Sequence, residues 1–145
     1  MTEAVQTSVR EQIEFLKQES LKLPQVEIPI FNFFADGVYV REMRVPAGTT
    51  ITGKIHKTST VDVLLEGSIV VVNDTGVPVR MDAPLVFESL PGISKAGYAI
   101  TDIRWLTIHG VESDSRNIED LEHELVVEDY QQYLEHREMM LIKEN

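Results

Sequence analysis

Residues 45–72 read VPAGTTITGKIHKTSTVDVLLEGSIVVV. Within this stretch ITGKIHK, VDVLLEG and SIVVV are short runs rich in β-branched residues, and Gly48 and Gly67 punctuate them, which is the pattern of strands joined by tight turns. The same texture continues on both sides. Upstream, Gly37 opens VYVREMRV and Pro46 with Gly48 breaks it. Downstream come VPVRMD, LVFESL, and a strand pair around GYAI and IRWLTIHG after Pro91-Gly92. Residues 73–76, Asn-Asp-Thr-Gly, form a good hairpin turn, because Gly76 can take positive φ. Many short strands at close intervals predict a sandwich or barrel and argue against alternating strand-helix units.

The two ends are different in character. Ser8 and Glu11 form a capping box ahead of Val9, Ile13 and Leu16, which share one helical face, so a short amphipathic helix is expected to about Ser20. LKLPQVEIPIFNFF follows, and Pro24 and Pro29 exclude a helix interior, favouring an extended crossing strand or an arm of the kind that often packs on a neighbouring subunit. After Ser113, Ile118, Leu121 and Leu125 fall at helical spacing behind caps at Ser115 or Asn117. A third helix is expected from about Glu128-Asp129, carrying Tyr130, Tyr133 and Leu134 and ending in an MMLI patch. The expected organisation is one domain over 1–145, with a helix and Pro-containing arm in 1–35, a barrel in 36–111 and a helical extension in 112–145.

Bulk properties narrow the chemistry. The 145 residues are 43% hydrophobic, enough for one core and too few for two. The chain has no cysteine, which removes disulfides, thiolate metal sites and thiol nucleophiles. Its formal net charge of −11 would repel phosphate backbones, and no basic stripe with interleaved aromatics is visible, so nucleic acid is not an expected partner. The start lacks the basic-then-apolar pattern of a secretion signal, and no run approaches the ~20 apolar residues of a membrane span; no membrane partner is expected. Phosphate-binding glycine loops, Gly-x-Ser-x-Gly and dinucleotide fingerprints are absent as well.

Residues 45–72 resemble the first cupin motif, in which a Gly precedes His-x-His, a Glu, and a Gly that closes a hairpin; Gly48 and Gly67 match the two glycines. APLVFESLPGISKAGYAI resembles the second motif, with Pro91-Gly92 as the turn ahead of a fourth ligand. The resemblance implies a mainly β, cupin-like double-stranded β-helix, or jelly-roll barrel. Through ADGVYVREM, Gly-Lys-Ile-His and Ala-Gly-Tyr-Ala, the whole chain is also similar to small uncharacterised cupin-like proteins encoded by tailed bacteriophages.

A mononuclear cupin metal site uses three imidazoles and one carboxylate. Carried over residue by residue, the ligand positions here are Lys54, His56, Thr60 and approximately Lys95, of which only His56 is a good donor, and two ammonium groups would oppose a cation. No cofactor is expected; a divalent metal held by His56 and His109 is the alternative. Strand alternation also puts Lys54 with His56 on one face and gives Thr60, Asp62 and Leu64 a shared face, which the resemblance to the motif implies points inward. A polar cluster of Lys, Asp and His in place of a metal is then one reading, able to bind a small anionic or sugar-like ligand through Lys54, His56, Asp62, Lys95 and Tyr98. The other is that both lysines snorkel outward while Asp62 caps a loop. No catalytic residue is assigned.

These expectations lead to a non-enzymatic phage protein, virion-associated or accessory, in the virion or the cytoplasm of the infected host. It would act as a homo-oligomer, a dimer or higher, and through contacts with virion or host proteins. The alternative is a small-molecule-binding or metal-dependent cupin enzyme using His56 and His109.

Overall fold

Alternation of apolar side chains along short strands requires two faces of different character, and the chain meets that demand by folding two antiparallel sheets against each other. The computed structural model describes residues 8–144; residues 1–7 of the expected N-terminal segment lie outside them. In chain order the elements are α1 (Val9–Ser20), β1 (Ile30–Ala35), β2 (Val38–Val45), β3 (Thr50–Thr52), β4 (Ile55–His56), β5 (Thr60–Glu66), β6 (Ser68–Asn73) and β7 (Val79–Asp82). There follow β8 (Leu85–Ser89), β9 (Lys95–Ala99), β10 (Ile103–Gly110), α2 (Ile118–Leu125), β11 (Val126–Val127) and α3 (Tyr130–Glu144).

A five-stranded sheet runs β1-β2-β10-β5-β8 and a four-stranded sheet β3-β9-β6-β7, with every pairing antiparallel. From β7 to β10 successive strands alternate between the two sheets, the crossing pattern of a jelly roll. The core between them takes Val45, Leu64, Ile103 and Trp105 from the first sheet and Ile69, Val71 and Ala99 from the second. Leu64 is fully buried, so truncating it to Ala would cost about 2–5 kcal/mol.

Turn chemistry sets the corners. The Asn73 carbonyl accepts from Gly76 N at 3.0 Å and its side chain accepts from Thr75 N at 2.9 Å, with Gly76 at φ +86°. This is the expected hairpin between β6 and β7. The cupin motif assigns Gly67 to a hairpin as well, yet β5 and β6 belong to different sheets, so Gly67 instead turns the chain from one sheet to the other. Its φ is +87°, and a Cβ there would stand 2.2 Å from the Asp102 carbonyl oxygen; both facts reserve the position for glycine.

The terminal segments close the barrel. Ser8 caps α1 by accepting from Glu11 N at 3.2 Å, and Asn117 caps α2 by accepting from Asp120 N at 3.2 Å. The last residues of the Pro-containing segment form the extended strand expected there: Ile30–Ala35 is an edge strand of the five-stranded sheet, held in regular register on β2. One feature departs from the expected outline. Between α2 and α3 the chain makes the short strand β11, which pairs with β4 so that Val126 lies opposite His56. Leu121 and Leu125 of α2 pack with Tyr39, Phe34, Val111 and Val126 over that end of the barrel. The MMLI residues stay exposed. No helix among the described residues is long and apolar enough to cross a membrane.

Candidate functional site

β5 sends Thr60, Asp62 and Leu64 inward, at 3%, 2% and 0% exposure, and Val61, Val63 and Leu65 outward. On β10 the inward set is Ile103, Trp105, Thr107 and His109. Register brings Thr107 opposite Asp62 and Trp105 opposite Leu64. A carboxylate is thereby forced into the barrel interior, where it must be partnered.

Its partners come from four directions. The Trp105 indole donates to Asp62 Oδ1 at 3.1 Å; the Thr60 hydroxyl donates to Oδ2 at 3.2 Å; the Ser89 hydroxyl, from β8, donates to the same oxygen. Lys95, at the head of β9 on the opposite sheet, donates to Ser89 Oγ at 2.6 Å and stands 3.9 Å from Asp62 Oδ2. An ammonium, a hydroxyl and a carboxylate thus form a short relay across the barrel. Desolvation lowers the Lys95 pKa, and the nearby Asp62 charge opposes that shift.

The neighbouring corner holds the imidazoles. His56, on β4, and His109, near the end of β10, meet edge to face with ring centres 5.2 Å apart. His109 also stacks on Tyr39 at 5.5 Å, and Tyr39 stacks on Phe34 at 5.3 Å. The Tyr39 hydroxyl donates to Asn32 Oδ1 at 2.5 Å. Burial drives the His109 pKa down to about 4, with the His56 and Arg41 charges acting in the same sense and Asp62 against them. His56 is lowered too, chiefly by burial; the Asp62 charge opposes the shift, and the Lys95 and Arg41 charges add to it. His109 Nδ1 is buried without a hydrogen-bond partner.

Of the residues singled out by sequence, the fold brings His56, His109, Asp62 and Lys95 to one interior region. It does not bring Lys54 or Tyr98 there. Lys54 lies between β3 and β4 and turns outward to Glu128 at 3.1 Å and Glu122 at 3.5 Å. Partial burial works against its charge, but these two carboxylates prevail and its pKa is raised. Tyr98 is half-exposed on the outside of the four-stranded sheet. Alternation along β9 separates it from Lys95 by an odd number of residues, which places the two on opposite faces. Sequence reasoning missed Ser89 and the Trp105 indole as partners of Asp62. Ser89 is in phase with Phe87 on β8, a usable signal; the indole contact depends on the β5–β10 register, which has none.

The donor set does not fit a mononuclear cupin metal. Thr60 and Lys95 stand at two of the expected ligand positions, Lys54 at a third faces away, and the interior carboxylate is already neutralised by an ammonium. Among the described residues no group of three or more His, Asp or Glu side chains is arranged to hold a metal ion.

No family model matches the chain, and no curated protein is similar to it. Solved structures are. A cupin superfamily protein from Desulfitobacterium hafniense aligns over 62% of this chain and 83% of its own, at 13% identity and a TM-score of 0.53. An RmlC-like cupin with a double-stranded β-helix fold from Methanocaldococcus jannaschii aligns over 58% and 80%, at 7% identity and a TM-score of 0.50. Salicylate 1,2-dioxygenase from Pseudoaminobacter salicylatoxidans aligns over 66% of this chain and 29% of its own, at 19% identity and a TM-score of 0.50. At such identities the likeness concerns architecture alone, and the chain is a cupin-like double-stranded β-helix with an N-terminal helix and C-terminal helices added to it.

Proposed function

We propose that this protein is a non-enzymatic cupin-like module, encoded by a bacteriophage and either virion-associated or accessory, that works through oligomerisation and contacts with other proteins. The observation that carries the reading is the engagement of Asp62 by Trp105, Thr60, Ser89 and Lys95. A buried ion pair with its remaining lone pairs satisfied leaves an incoming cation no free carboxylate, and the ammonium opposes it. The phage origin is supported by the sequence resemblance through ADGVYVREM, Gly-Lys-Ile-His and Ala-Gly-Tyr-Ala. Its setting would be the virion or the cytoplasm of the infected host.

One observation favours a second reading, a small-molecule-binding or metal-dependent cupin. His56 and His109 are adjacent and His109 Nδ1 has no partner, so a ligand or ion with one open position could use the pair. Elemental analysis of protein purified without chelator separates the two. The first reading expects metal far below one equivalent per chain. Stoichiometric Fe, Mn, Ni or Zn that is lost on His56→Ala would replace it with the second.

A further inference from the structure

Lys95 sits at the head of β9 with 28% of its side chain exposed, so its amine is enclosed on one side and open to solvent on the other. Nζ donates to Ser89 Oγ at 2.6 Å, and the Ser89 hydroxyl donates in turn to Asp62 Oδ2. A lysine is a nucleophile only as the free amine, and this chain of contacts gives its proton a destination that does not cross bulk water. Ser89 can take a proton from Lys95 while passing its own to Asp62. A neutral amine, an intact hydroxyl and a carboxylic acid then replace the buried ion pair. The surroundings favour the amine: desolvation lowers the Lys95 pKa against the pull of Asp62, and the Phe87 ring centre lies 5.7 Å from the nitrogen.

A second cation enters from the neighbouring strands. On β2 the inward phase runs Tyr39, Arg41, Met43, Val45, and all but Arg41 pack in the apolar clusters. Register sets Arg41 opposite Thr107, and Thr107 opposite Asp62. Arg41 therefore stands two strands, about 10 Å, from Asp62 along one inward cross-strand row, a distance that its long side chain and a small acid can span together. Among the described residues no carboxylate forms an ion pair with Arg41. Its charge acts instead on His56 and His109, and the Lys95 charge acts on His56 as well. Two cations thus converge on one imidazole inside a chain whose formal net charge is −11, and the unpartnered His109 Nδ1 is buried in the same corner.

We propose that Lys95 captures small 2-oxo acids as a protonated imine, with Arg41 holding the carboxylate and Ser89 and Asp62 moving the protons. The free amine attacks the 2-oxo carbon: a C–N bond forms, the carbonyl π pair moves to oxygen, and a nitrogen proton transfers there to give a carbinolamine. The nitrogen lone pair then forms the C=N bond and expels the hydroxyl, which takes the proton held at Asp62 and leaves as water. A cationic imine now faces the restored Asp62 carboxylate, so the buried pairing of charges is the same before and after, and no oxidant or reductant is consumed. This chemistry goes beyond the contact-making role proposed above and is independent of it; metal content tests that role and does not enter here.

Reductive trapping tests the proposal. The full chain is incubated at about pH 7 with glyoxylate and sodium cyanoborohydride, which fixes the imine as a carboxymethyl amine, and each lysine is followed by peptide mass mapping. Acetaldehyde is the matching carbonyl without a carboxylate. Lys22, exposed and paired with Glu19, is the internal reference. Each unit by which burial lowers a lysine pKa raises the free-amine fraction about tenfold, so Lys95 should be modified at least ~10-fold faster than Lys22, and its rate should level off at a lower pH. Its preference for glyoxylate over acetaldehyde should exceed that of Lys22 at least ~5-fold, and Arg41→Met, checked for an unchanged thermal transition, should bring that preference down to the Lys22 value. Lys95 modified no faster than Lys22 by either carbonyl would overturn the proposal. A glyoxylate preference equal at the two lysines, or one that Arg41→Met leaves intact, would overturn the assignment to 2-oxo acids.

Discussion

Asp62 and His109 project from neighbouring strands into the same barrel, at 2% and 3% exposure, yet the fold treats them in opposite ways. The carboxylate is surrounded by an indole, two hydroxyls and an ammonium. The imidazole has aromatic neighbours on both sides and no partner for Nδ1. The interior therefore accepts ionic charge only where the compensating groups arrive with it, and elsewhere it suppresses ionisation.

Removing the compensated group should have the largest effect. Asp62→Ala strands the Trp105 N–H, the Thr60 and Ser89 hydroxyls and the Lys95 ammonium together, and breaking a buried pair of this kind costs about 3–5 kcal/mol. Urea unfolding of the variant measures it. A loss below about 1 kcal/mol would mean that water already serves these groups, and the contrast with His109 would collapse.

The suppressed group should reveal itself by pH. An unfolded His titrates near 6.5 and His109 in the folded chain near 4. Below about pH 6.5 the unfolded state takes up a proton that the folded state refuses, so stability falls as pH falls and levels off only below about 4. The full loss is on the order of 3 kcal/mol, and His56, lowered in the same direction, adds to it. Thermal melts across this window should show the slope in the wild type and a shallower one in His109→Gln. An equal slope in both would assign the titration elsewhere.

How much of this was legible beforehand depended on the range of each interaction. Alternation put Asp62 on one face with Thr60 and Leu64, the cupin motif implied that this face points inward, and the caps at Ser8 and at Ser115 or Asn117 located two helices, because those signals span a few residues. Lys54 was misplaced by the same rule applied too far: β3 ends at Thr52 and β4 begins at Ile55, so no strand period connects Lys54 to His56. Its actual partners, Glu122 and Glu128, come from the C-terminal extension. β11 is two residues long, too short to carry any periodicity, although it sets the backbone beside His56.

Lys95 occupies the middle of the range. Lys95→Met removes the ammonium but leaves Asp62 its three neutral donors, and the Lys95 side chain is 28% exposed, so a loss of about 2 kcal/mol is expected. Combined with Asp62→Asn in a double-mutant cycle, it should show a coupling of at least about 1 kcal/mol. Additive effects would mean that the 3.9 Å approach carries no ionic stabilisation.

Lys54 should give the smallest response, and it tests where the polar interior ends. Its side chain is 39% exposed and its carboxylate partners 55% and 60%. Exposed pairs contribute about 0–1 kcal/mol and are screened by salt. Lys54→Met should therefore change stability by less than about 1 kcal/mol, and half-molar salt should erase most of the difference. The Lys95→Met effect should persist in the same salt, because its partner is buried at 2% exposure. If Lys54→Met instead matched Lys95→Met in size and salt resistance, the ion pairs of Lys54 with Glu122 and Glu128 would belong to the same desolvated network as Asp62. The closed end of the barrel would then be stabilised by charge rather than by the packing of Leu121 and Leu125 on Tyr39.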